Sequence, residues 1–250
     1  MNVTNNIIRS VSQLDQRKHR KRDMAFKAEG TKCVLDTLPF FTLEALYATA
    51  EWISEHTECA GLPQLSEATR GDLKRMSSLT TPADVIAVYE IPERTLDTVE
   101  CRNQLVLALD TIQDPGNLGT IIRVADWYGI TNIICTKETA DCYSPKVIQA
   151  TMGSISRVSV HYCDLRDTIL KIGTPVYGTF LDGEDIDTAR LTETGIIVIG
   201  NEGNGISPTI AEIVEKRLTI PSYPAGRPTG ESLNAAIATA ITVSKFRASK

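Results

Sequence analysis

What this 250-residue sequence lacks narrows its class before any motif is read. Its six cysteines, Cys33, Cys59, Cys101, Cys135, Cys142 and Cys163, never stand in a C-x-x-C spacing. That argues against zinc knuckles and redox pairs and leaves buried free thiols, with no metal site expected. No apolar stretch approaches the roughly 20 residues of a membrane span, and no apolar run follows a basic start. A cytoplasmic protein without a membrane partner is therefore expected. There is no internal repeat and no low-complexity tract, so solenoids are set aside, and nothing suggests disorder beyond the termini. Neither G-x-G-x-x-G nor G-x-x-x-x-G-K-[ST] occurs, so nicotinamide and nucleoside-triphosphate readings lose their main support. Positive charge is also scarce, with a net charge of -5.

That deficit is unevenly spread. Residues 1–32 hold eight Lys and Arg against three Asp and Glu. The basic block Arg17, Lys18, Arg20, Lys21 and Arg22 is dense enough to engage several phosphates, although a solvated helix face would look the same. With 42% hydrophobic and 23% charged residues, the chain can build a sizeable core unaided. Its length suits two domains. Residues 1–98 form the first, with a possible strand at Cys33 to Leu35, an amphipathic helix at Leu43 to Trp52 and a short strand at Val85 to Val88. A polar linker precedes the second, residues 103–250. There, strands expected at Leu105 to Leu109, Ile130 to Cys135, Val176 to Leu181, Ile196 to Gly200 and Leu218 to Ile220 alternate with helical stretches, which indicates an α/β domain with a mostly parallel sheet. Ser144-Pro145 and Ser207-Pro208 mark helix starts, and a last helix is expected over Ser232 to Arg247.

Three loops at strand ends carry the candidate chemistry. The first, TIQDPGNLGT, opens a helix ending at Gly129 and offers the amide of Asn117 and the planar cation of Arg123; a tight turn with a surface arginine is the plain alternative. The second, GNEGNGIS, places Asn201, Gly203, Asn204 and Gly205 around the carboxylate of Glu202. The third, IPSYPAGRPTGESLN, leads into the last helix through Ser232, Leu233 and Asn234, where Ser232 could equally be an N-cap. Loops at the carboxyl ends of strands in one open α/β sheet converge where such folds place ligands.

The spacing NxxxxxRxAxxxG over Asn117, Arg123, Ala125 and Gly129, the run VIGNEGNGI, and Ile220-Pro221 followed by Ser232-Leu233-Asn234 resemble the three motifs of the SpoU (TrmH) family of RNA methyltransferases. KAEG at Lys27 to Gly30 and LKRMSSLTTP at Leu73 to Pro82 look like the accessory RNA-binding domain of that family. The resemblance implies a SPOUT-class trefoil-knot domain preceded by a small α/β RNA-binding domain, a rare exception to the general absence of knots. It also implies S-adenosyl-L-methionine as cofactor, a homodimer, and an RNA substrate methylated on a ribose 2′-hydroxyl. Ribosomal RNA is favoured over transfer RNA, because relatives that modify it carry such an accessory domain. By motif, Thr179, Leu181, Gly183, Gly200, Asn201, Gly203, Ile220, Ser232 and Leu233 would line the cofactor pocket. Asn117, Arg123, Glu202, Ser232 and Asn234 would form the catalytic group, unless Glu202 serves instead to shape its loop.

Two departures stand out. Ten residues, Ser222 to Glu231, separate Pro221 from Ser232, with Ser222 where the family usually has Met and either Gly226 or Gly230 in the family's glycine position. Ala235-Ala236 replaces the Val-Ser that many members carry. The competing readings are a tRNA 2′-O-methyltransferase, a catalytically silent RNA-binding factor and a base methyltransferase. The last fits poorly, because the motifs of such enzymes differ from this pattern.

Overall fold

The computed structural model describes residues 3–224, 230 and 232–248. The chain divides into two compact units, residues 1–93 with 141–156, and residues 94–140 with 157–250. The chain thus leaves the second unit once, after Ala140, and contributes Asp141–Ser156 to the first.

The first unit runs α1 (Asn5–Gln13), α2 (Arg17–Asp23), β1 (Ala25–Glu29), α3 (Thr31–Thr37), β2 (Leu43–Ala48), α4 (Ala50–Glu55), β3 (Leu65–Glu67), α5 (Arg70–Met76) and β4 (Val85–Glu90). The four strands form a sheet in the order β1-β4-β2-β3, antiparallel except for the β2–β3 pair. Two expectations fail here. Cys33 to Leu35 lies in α3, where the Thr37 hydroxyl donates back to the carbonyl of Cys33. Leu43 to Trp52 is not one helix: β2 pairs with β4, and the helix starts only at Ala50, where Thr49 Oγ1 accepts the N–H of Trp52. The helical spacing of Leu43, Leu46 and Tyr47 is overruled by a partner strand distant in sequence. Ile8, Val11, Leu73, Met76, Ile86 and Val88 pack together in the core of this unit.

The second unit holds β5 (Leu105–Leu109), α6 (Pro115–Trp127) and β6 (Asn132–Cys135). After α7 (Pro145–Thr151), which belongs to the first unit, it continues with β7 (Ser159–Tyr162), α8 (Leu165–Ile172), β8 (Val176–Asp185), β9 (Gly195–Ile199), α9 (Pro208–Ala211), β10 (Lys216–Thr219) and α10 (Ala235–Ala248). Six strands form one sheet, β10-β8-β9-β5-β6-β7, and every adjacent pair is parallel. The α/β reading with a parallel sheet holds. β5 and β9 are buried along their whole length, as expected of strands covered on both faces. The edge strand β7 was not anticipated, because SVHY carries no apolar run. α7 and α9 begin at the expected prolines, though neither Ser144 nor Ser207 makes a side-chain cap bond.

Candidate functional site

α6 begins where β5 ends, and its start is well determined. Asp114 caps it, accepting the N–H of Asn117 at 2.8 Å, and Pro115 fills the first turn. Asn117 is thereby fixed at the carboxyl edge of the sheet. Its Nδ2 donates to Glu202 Oε1 at 2.5 Å, and its Oδ1 accepts from Asn234 Nδ2 at 2.8 Å. Asn234 Oδ1 in turn accepts the N–H groups of Ala236 and Ile237 at 3.0 and 3.3 Å. Asn234, not Ser232, thus closes the start of α10, and the helix begins three residues later than expected. Three of the five expected catalytic residues, one from each loop, form a single hydrogen-bonded chain.

The other two stand apart from it. Ser232 is exposed and makes no hydrogen bond among the described residues. Arg123 is exposed on α6. Six positions after Asn117, at 3.6 residues per turn and 1.5 Å rise, it lies about 9 Å along the axis and about 120° around it.

The glycine-rich loop is a closed turn. Asn201 and Gly205 exchange both backbone hydrogen bonds, at 3.0 and 2.9 Å, while Asn201 Oδ1 accepts the N–H groups of Gly203 and Asn204. Asn201 Nδ2 donates to the carbonyl of Thr111 at 2.8 Å. Asn201 is therefore occupied mainly in shaping its own loop. Gly200 is obligatory, since a Cβ there would lie inside the backbone of Gly205 and Ile206.

The expected cofactor residues of β8 lie on an excursion from the ladder. Opposite the consecutive residues Arg217 and Leu218 of β10 stand Gly178 and Glu184, so residues 179–183 bulge out. Each is held. Thr179 donates to the Val198 carbonyl at 3.4 Å, and Thr219 donates to that of Leu181 at 3.3 Å. The Arg217 guanidinium lies 3.5 Å from the Phe180 ring centroid and bonds Asp182 at 2.6 Å, which holds that carboxyl below its ordinary range. Gly183 packs against the β10 backbone, 2.7 Å from where a Cβ would sit. Leu181 is left 78% exposed, Leu233 is exposed and Ile220 is half-buried. Of the two glycines noted in the third loop, Gly226 lies outside the described residues and Gly230 is exposed.

The basic block folds as α2 of the first unit, and one of its members turns inward. Arg20 is 3% exposed, bonded to Asp141 Oδ2 at 2.7 Å and to the carbonyls of Leu14 and Asp15 at 2.6 and 2.9 Å. It fastens this unit and is not presented to a phosphate. Arg17, Lys18, Lys21 and Arg22 remain exposed, Arg22 paired with its neighbour Asp23 at 2.6 Å. The reading from sequence also missed Asp110, Thr111 and Asp114, of which only Asp114, in its Asp-Pro step, carried a legible capping signal.

Comparison with known proteins places this geometry. Residues 104–244 match the model of the SpoU rRNA Methylase family, and residues 5–87 match an MRM3-like substrate binding domain. A Bacillus subtilis protein named a 23S rRNA guanosine 2′-O-methyltransferase is 31% identical over 97% of this chain and 96% of its own. A solved structure from Porphyromonas gingivalis, assigned to the TrmH family of RNA methyltransferases, superimposes with a TM-score of 0.88 at 40% identity, covering all of both chains. An AdoMet-bound rRNA methyltransferase from Sinorhizobium meliloti gives 0.82 at 30% identity, covering 99% of this chain and 96% of that one. With both units matched in order and the three loops joined as described, the chain belongs to the SpoU family of rRNA methylases.

Proposed function

We propose that this chain transfers a methyl group from S-adenosyl-L-methionine to a ribose 2′-hydroxyl of ribosomal RNA. The observation that carries this reading is the chain Glu202, Asn117, Asn234, which joins the three loops into one polar site. The activity named for the Bacillus subtilis relative and the ligand named for the Sinorhizobium meliloti structure support the substrate and the cofactor. The residues fit such a cofactor. Leu181, Leu233 and Ile220 offer apolar surface for a purine ring, and Gly183, Gly200 and Gly203 allow close backbone approach. Thr179, Asn201 and Ser232 supply polar groups at the rim.

Bound there, the sulfonium supplies a methyl group that is already activated. What remains for the protein is to align the hydroxyl and ease the loss of its proton. Asn117 and Asn234 each keep one amide hydrogen beyond the bonds described, and Ser232 keeps its hydroxyl, so these groups can orient the ribose. A guanidinium holds its proton firmly, so Arg123 acts by charge, on the developing alkoxide or an adjacent phosphate.

Within one chain Arg123 points away from Asn117, and this supports the homodimer: a second copy would bring its own Arg123 to the site. Trp127, one turn further along the same stripe of α6, is 85% exposed, and Ile237 on α10 is also exposed; both suit a covered surface. No helix among the described residues is long and apolar enough to cross a membrane. A ribosomal substrate suits a cytoplasmic enzyme. Arg17, Lys18, Lys21 and Arg22 are the cations left to hold RNA phosphates.

The test is methyl transfer from labelled S-adenosylmethionine into unmodified ribosomal RNA, with the linkages then challenged by alkali. Alkali-resistant label with wild type and a loss of about 10²- to 10³-fold with Arg123→Ala is expected. Mixed dimers of Arg123→Ala and Asn234→Ala chains should recover activity. Cofactor binding without transfer to any RNA would favour the silent RNA-binding factor, and label confined to transfer RNA would overturn the substrate.

A further inference from the structure

The carboxyl end of β5 carries two groups that the reaction described above does not use. Asp110 is 3% exposed, and a buried carboxylate needs a reason. Its Oδ2 accepts the N–H of Ser207 at 2.7 Å and its Oδ1 the Thr111 hydroxyl at 3.2 Å. Thr111 has φ +63°, a conformation that a β-branched residue rarely adopts. Two bonds hold it there: its N–H donates to Thr136 Oγ1 at 3.0 Å and its carbonyl accepts from Asn201 Nδ2 at 2.8 Å.

Both bonds to the loop fall at its ends. Asn201 opens the glycine-rich loop and Ser207 closes it, and the Asn201–Gly205 bridge ties the turn between them. Adjacent residues of one strand end therefore grip the loop twice, and the loop carries the Glu202 that bonds Asn117. Thr111 holds this unusual φ while its carbonyl accepts from Asn201, a local strain maintained by its surroundings at a functional site.

We infer that Asp110 and Thr111 are positioning residues that preset the glycine-rich loop, both for the cofactor and for the Glu202–Asn117 contact. This rests on the reading above that the loop holds S-adenosylmethionine. Neither residue touches the reacting atoms. Their contribution is to remove the cost of ordering the loop on binding.

The experiment uses the full-length protein in three forms, Asp110→Ala, Asp110→Asn and Ser207→Pro. The last removes the tethering N–H, together with an exposed 3.4 Å hydroxyl contact to Thr209, at a residue whose φ of −61° already suits proline. Calorimetry gives the S-adenosylmethionine affinity, steady-state rates give KM for RNA, and amide exchange at Gly203 and Asn204 reports the loop without cofactor. Asp110→Ala and Ser207→Pro should weaken cofactor binding about tenfold or more, with KM for RNA changed less than about twofold. Amide exchange at Gly203 and Asn204 should accelerate in both. Asp110→Asn, whose amide oxygen can still accept from Ser207, should recover most of the affinity. Wild-type affinity in Asp110→Ala and Ser207→Pro well below their melting temperatures, with unchanged exchange, would reduce Asp110 to a structural residue. If the wild type binds no S-adenosylmethionine the cofactor reading fails, and the exchange comparison alone then decides the clamp. Should Asp110→Ala not fold, Ser207→Pro carries the test.

Discussion

The two units differ in what their sheets bury. In β5 and β9 of the second unit every residue is buried and apolar apart from one glycine. In β1 of the first unit all five residues are buried, and two of them are Lys27 and Glu29. Lys27 Nζ lies 2.9 Å from Asp15 and 3.1 Å from Glu29, and it also donates to the carbonyl of Met76. Glu29 accepts from Ser77 and Ser78. The first unit thus uses charge as an internal fastener, with Arg20 and Asp141 as a second instance. The second keeps charge out of its two central strands, β5 and β9, and gathers polar groups at their carboxyl ends, where the candidate chemistry lies. Charged residues in the two units should therefore fail differently, by unfolding in one and by loss of activity in the other.

The largest effect expected of that contrast is at Lys27. Lys27→Met leaves Glu29 buried without its cation, which should cost about 3–5 kcal/mol, whereas the double variant with Glu29→Leu should recover most of it. Chemical denaturation followed at Trp52, which is buried in the first unit, reads both. A single variant costing less than about 1 kcal/mol would show that water reaches the pair. In the second unit the comparable weak point is steric. Gly200→Ala forces a methyl group into the backbone of Gly205 and Ile206 and should cost about 1–3 kcal/mol, whereas Gly203→Ala, with its nearest neighbour 3.5 Å away, should leave the thermal transition unchanged. Equal losses from the two would mean that the loop adjusts freely, against the rigid turn described here.

The same contrast decides how much could be read beforehand. Within the parallel sheet β5, β6 and β9 stand out as apolar runs because both of their faces are covered, and the three loops stand out by their glycines, amides and prolines. β1 reads AFKAE and gave no strand signal, since its buried positions include a cation and an anion whose partners, Asp15, Ser77 and Ser78, lie elsewhere in the sequence. β2 reads as a helix from its apolar spacing, because the strand it pairs with, β4, is remote in the sequence. At the site, Asn117, Glu202 and Asn234 were legible as candidates, but their connection was not: Asn117 and Glu202 are 85 positions apart, and Asn234 is 117 positions from Asn117. The inward turn of Arg20 was hidden for the same reason, because Asp141 reaches it from 121 positions away.

The smallest effect is one of pH, and its sign follows from the surroundings of Glu29. Burial pushes its pKa up, but the Lys27 ammonium and the hydrogen bonds from Ser77 and Ser78 outweigh burial and hold it below the ordinary value of 4.5. A carboxylate depressed in the folded state contributes stability that is fully present above its unfolded pKa and is lost as pH falls through the folded one. In a Trp127→Phe background, where Trp52 is the only tryptophan, the denaturation midpoint of the first unit should be flat with respect to this group from about pH 7 to pH 5.5. Below pH 4.5 it should fall. Glu29→Gln should start from a lower plateau and lose that part of the acid dependence, because an amide does not titrate. An undiminished acid slope in Glu29→Gln would assign the effect to other carboxylates and leave Lys27 as a cation whose partner is chiefly Asp15.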